Sequence, residues 1–107
     1  MARRPQGTQF AVGGSASGVV IAASTGAHYN LYSIFLSWRG VTAGDRVIFY
    51  DGANASGTPI VEVIMTSTGN DGLNVKLPSV GLNLATGLYF DKTGVTGGEV
   101  NYSVGFD

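Results

Sequence analysis

At 107 residues the chain has the length of one domain, and a domain this small buries only about two-thirds of the surface its unfolded form exposes. It has no cysteine and one histidine, which excludes disulfides and the usual ligand sets of a structural zinc site, so oligomerisation is the remaining way to add stability. Only 12% of residues are charged and the formal net charge is -1, which gives no electrostatic footprint for nucleic acid or an anionic membrane.

At the N-terminus, Arg3 and Arg4 are followed by polar chain rather than an apolar stretch, so no secretory signal is expected. No segment approaches the roughly 20 apolar residues of a membrane span. Residues 1–18 keep no helical or strand period and end in glycine and serine, the pattern of a flexible or extended N-terminal arm. Phe10 and Val12 are apolar anchors in that arm, with little to do in solvent unless the arm orders on a neighbour.

Residues 19–107 read as a single β-sandwich domain. The first strand is expected at 19–23, closed by Ser24-Thr25-Gly26. The longest runs over 30–38, where Tyr32, Ile34, Leu36 and Trp38 form one apolar face at the period of two. A turn through 40–45 predicts a hairpin into 47–50. Pro59 stands at the mouth of the next strand, 60–65. Residues 66–72 turn through Asn70-Asp71-Gly72 into a strand at 73–77 whose apolar positions are Leu73, Val75 and Leu77. Leu82 and Leu84, then 87–91, then 100–106 complete seven or eight strands. Frequent glycine and the absence of a 3.6-residue period argue against helix. The fold class is therefore all-β, an antiparallel two-sheet β-sandwich of jelly-roll type.

Segments 73–77 and 100–106 alternate apolar with polar residues, as a sheet with one wet face requires. The middle strands are apolar on both faces. Tyr29, Leu31 and Phe35 occupy the second face of the longest strand, Ile48 and Tyr50 that of 46–50, and Ile60 and Ile64 belong to a strand interrupted only by Glu62. A soluble monomer rarely exposes so much contiguous apolar area, so the second face is covered either by the domain's own loops and N-terminal arm or by another subunit, and in the latter case these residues, with Phe10 and Val12, form the candidate interface.

Chemistry finds little support. His28 is the one candidate base, at a strand entry without a partner in sequence. Five of the seven acids, Asp45, Asp51, Asp71, Asp91 and Asp107, stand at turns, strand ends or the terminus, where aspartate satisfies local backbone donors. Nothing in sequence pairs Glu62 with Glu99 as two acting carboxylates, no loop gathers enough oxygens for calcium, and the lysine-threonine pair Lys92-Thr93 follows Asp91 rather than the glycine that a phosphate loop needs. No catalytic, cofactor or metal site is expected. Tyr29, Tyr32, Trp38, Phe49 and Tyr50 are either core and interface or, as an alternative, the sugar-stacking platform of a carbohydrate-binding module.

The segment 40–58, with its glycine-rich turn, an apolar strand ending in Tyr50-Asp51-Gly52 and the loop Ser56-Gly57-Thr58, resembles small all-β virion proteins of tailed bacteriophages. Thr86-Gly87-Leu88-Tyr89-Phe90 is similar to their penultimate strand, and the likeness extends over roughly residues 19–106. The resemblance implies a capsid decoration or cement protein, or another minor head or tail component. Its partner would be the major capsid protein or other virion proteins, and it would act as a homo-oligomer, a trimer being favoured. Its place would be the capsid surface, after a period in the host cytoplasm.

Overall fold

The computed structural model describes residues 9–14, 16–23 and 29–107. His28, Arg3, Arg4, Ser24-Thr25-Gly26 and the first eight residues of the expected arm lie outside the described residues. Among the described residues nine strands form and no helix: β1 (Gln9–Gly13), β2 (Gly18–Ile21), β3 (Tyr29–Val41), β4 (Arg46–Asp51), β5 (Thr58–Ile64), β6 (Gly69–Val75), β7 (Leu82–Leu84), β8 (Leu88–Asp91) and β9 (Glu99–Phe106). Within the segment read as an arm, Gln9–Gly13 is thus a strand, laid along β9.

All pairings are antiparallel and make two sheets. One runs β1-β9-β3-β6, with β7 also on β3, and the other runs β2-β8-β4-β5. The sheets close over one core of Leu31, Ile34, Leu36, Trp38 and Val41 from β3, Val100 and Val104 from β9, and Ile21, Val47, Phe49, Val63, Leu88 and Phe90 from the second sheet, with Leu84 and Met65 filling in. Tyr102 of β9 spans the gap, its ring 6.0 Å from Phe49 and 4.9 Å from Phe90, which are themselves 5.2 Å apart. Side chains of this size each contribute about 1.5–3 kcal/mol when buried, so the aromatic bridge is a principal attachment between the sheets.

The long strand β3 corrects the expected face assignment. Leu31 pairs with Phe106 and Ser33 with Gly105, so the register slips by one residue at Tyr32. Such a bulge exchanges the two sides of the strand. Leu31 is therefore fully buried in the core rather than on the second face, and Tyr32, expected in the core, is only half-buried. A second slip between Trp38 and Val41 passes through Gly40, at φ 69°, and returns Val41 to the core. A strictly alternating reading crosses the first bulge without seeing it.

Two connections also differ from expectation. The turn after β3 does not close a hairpin, because β4 belongs to the other sheet and pairs with β5 and β8. Its Asp45 is buried and accepts bonds from Thr42 N at 3.0 Å and Thr96 Oγ1 at 3.3 Å, while Met65 N donates to the Asp45 carbonyl at 2.8 Å. These bonds fix a bridge between sheets. Asn70-Asp71-Gly72, expected as a turn, lies inside β6 because β3 extends far enough to pair with it: Trp38 faces Asp71 and Ser37 faces Gly72. Leu73, opposite Leu36, remains 42% exposed because β6 is an edge strand.

Candidate functional site

Once inward positions are assigned, each sheet presents an outer face. On the five-stranded sheet Val104 is buried, so its neighbours Ser103 and Gly105 point outward. Register then builds two rows. Phe10 lies opposite Gly105, which lies opposite Ser33, and Val12 lies opposite Ser103, which lies opposite Phe35. Gly105 is required here: a Cβ added to it would meet Ser33 Oγ and come within 3.3 Å of the Phe10 ring. Phe10, Val12 and Phe35 are 69%, 76% and 49% exposed, and the positions between them are serine and glycine. The result is an uncharged patch bearing three large apolar side chains, with the Arg39–Glu99 pair further along the same face.

The four-stranded sheet has the opposite character. Val47 and Phe49 are buried, so Arg46, Ile48 and Tyr50 point outward from β4. Ile48 stands between Asp91 and Glu62, Arg46 opposite Ile64, and Tyr50 between Tyr89 and Pro59. Ile64 is exposed, but Ile48 and Tyr50 are half-buried, and charged residues separate the apolar positions. A recess of about 280 Å³ beside Arg46, Tyr50 and Asp91 follows this face.

The candidate interface residues therefore do not form one patch. Phe10, Val12 and Phe35 share the outer face of the first sheet, whereas Ile48, Tyr50 and Ile64 share that of the second, across the core. Tyr29 and Ile60 pack against the core, Tyr29 also meeting the Phe106 ring edge-on at 6.1 Å, and Leu31 is inside it. A sequence reading that assigns strand faces by strict alternation cannot separate these groups, because the sorting depends on the bulges and on which strands pair.

A second recess of about 430 Å³ opens where β9, β3 and β6 meet, among Ser37, Arg39, Asn70 and Asn101. Arg39 donates to Glu99 Oε2 from Nε at 2.9 Å and Nη2 at 2.6 Å on its rim. Both side chains are exposed, so the pair contributes little to stability. Trp38 borders this recess but is 7% exposed, with Nε1 buried and unpaired, and so offers no open ring to a sugar. Among the described residues no three His, Cys, Asp or Glu side chains gather in one group.

Asp51 is the residue whose role the sequence reading understated. Its Oδ2 accepts from Ala85 N at 2.8 Å, and its Oδ1 from Thr86 N at 3.0 Å and Gly87 N at 3.3 Å. A turn aspartate normally satisfies donors beside it, but this one gathers three donors from the loop preceding β8. Tyr102 has its phenol pKa raised by burial between the sheets. Compared with family models, curated proteins and solved structures, the chain matches none of them.

Proposed function

We propose that the chain is a structural protein of a tailed-phage virion, a capsid decoration or cement protein held on the head shell by the outer face of its five-stranded sheet and by residues 1–18. The observation that carries this reading is the cluster of Phe10, Val12 and Phe35, exposed in a patch whose cross-strand neighbours on β9 are serine and glycine. The likeness of residues 40–58 and 86–90 to such proteins supports the same class. Its partner is the major capsid protein or another virion protein, its role is assembly rather than catalysis, and its location is the capsid surface after synthesis in the host cytoplasm. The strand orders β1-β9-β3-β6 and β2-β8-β4-β5 support a jelly roll, an architecture used by viral capsid and lectin domains.

Co-sedimentation with shells assembled without the protein tests the proposal. The native chain is expected to pellet with them and Phe35→Asp to remain in the supernatant while still folded. A native chain with no affinity for such shells would sink the reading. Tyr50 and Tyr89, adjacent in register beside the smaller recess, support a carbohydrate-binding module as the second reading. A glycan array separates the two, because sugar binding abolished by Tyr50→Ala would favour the module.

A further inference from the structure

The two sheets have exposed edges, and four of the edge segments are protected. The strand β5 carries Pro59 and Glu62, β6 carries Asp71, β2 is interrupted by a register slip between Val19 and Ile21, and β7 is three residues long. Charge, proline, irregularity and brevity are the usual devices that stop an edge from accepting another strand. The remaining edge strand, β1, has none of them. Its five residues are uncharged, lack proline and pair with β9 in unbroken register, and no further strand lies on its other side among the described residues.

We infer that β1 pairs with β1 of a second copy of this chain, antiparallel and centred on Ala11, joining two five-stranded sheets into one. The sequence of the strand is self-complementary in that arrangement. Reversal about Ala11 sets Phe10 opposite Val12 of the partner subunit, an aromatic and β-branched pair of the kind that stabilises antiparallel ladders, and sets Gln9 opposite the partner's Gly13 without like charges meeting. The cross-strand row Phe35, Ser103, Val12 then continues into the partner's Phe10, so the exposed apolar side chains of both copies form one stripe over the junction. Reversing β5 or β6 on itself would instead bury Glu62 or Asp71. An isologous contact uses the same edge on both copies and closes at two, so the assembly is a dimer rather than the trimer favoured from the resemblance. The inference deepens the assembly reading, but its test uses the isolated chain, and a monomer that still bound shells would overturn the pairing alone.

Sedimentation of the purified full chain across a range of concentrations should give a reversible monomer–dimer equilibrium. Val12→Lys should weaken it tenfold or more with unchanged circular dichroism, whereas Ile64→Lys on the opposite face should leave it intact. Register is read by cross-linking, since the chain has no native cysteine. Residues opposite each other in an antiparallel pair have Cα atoms about 4.5–5.5 Å apart, inside the range a disulfide spans, so Ala11→Cys should form a covalent dimer under mild oxidation. Gln9→Cys, about 14 Å from its symmetry mate, should not. A monomer at every concentration, a trimer, a dimer insensitive to Val12→Lys, or cross-linking of Gln9→Cys in place of Ala11→Cys would each overturn the inference.

Discussion

The two outer faces begin from similar strands and end with different surfaces. β3 and β4 are both apolar at most positions, yet beside Phe35 of β3 the cross-strand neighbours are Ser103 and Asn74, with the exposed Val12 and Phe10 on β1 beyond, whereas beside Ile48 and Tyr50 of β4 they are Asp91, Glu62 and Tyr89. Small uncharged neighbours leave an apolar side chain open to a partner, while long or charged ones flank it and keep water nearby. What leaves a surface apolar and open in this molecule is therefore the cross-strand neighbour more than the strand itself. The neighbour is set by pairing.

The largest expected effect comes from two substitutions four residues apart on β3. Leu31→Asp places an unpaired carboxylate in the core and should remove about 3–5 kcal/mol, a large share of the stability of a domain this size, so that thermal unfolding loses its cooperative transition. Phe35→Asp changes a half-exposed side chain on the outer face and should cost about 1 kcal/mol or less, moving the melting midpoint by a few degrees. Equal destabilisation by both would contradict the bulge at Tyr32.

Next is the anchorage of the four-stranded face. Asp51→Ala leaves Ala85, Thr86 and Gly87 N–H groups without their acceptor, and a loss of about 2–3 kcal/mol is expected in denaturant unfolding. Asp51→Asn keeps one acceptor oxygen and should fall between the alanine variant and the native chain. An alanine variant as stable as the native protein would mean the loop is held otherwise.

The smallest effect probes the seam between the faces. Burial raises the Tyr102 pKa above 10.0, so the neutral phenol is favoured by folding. Its contribution is complete below pH 10 and declines as pH rises from there through the folded-state value. Melting midpoints measured from about pH 9 to about pH 12 should therefore fall less steeply for Tyr102→Phe than for the native chain. Parallel curves would place the phenol in water.

Much of the fold could be read from residue order because strand formation is local. Alternation in 100–106, the apolar run at 47–50 and the glycine-rich turns locate strands without knowledge of partners. Phe35 stands on the outer side that alternation gives it, whereas Phe10 and Val12, read in an arm without a strand period, point outward from β1. The misplaced residues share one cause. Leu31 and Tyr32 were exchanged by a bulge, Asn70-Asp71-Gly72 entered a strand because β3 was long enough to receive it, and the expected hairpin opened because β4 found its partners in the other sheet.

By itself the sequence determined that this chain forms strands rather than helices, that no cysteine framework supports it, and that its apolar content exceeds what one strand face can bury. Only the tertiary structure decided which apolar residues became core and which remained outside. The physical reason is the two-residue period of a strand: a slip of one position, which no local propensity records, turns every following side chain to the other face.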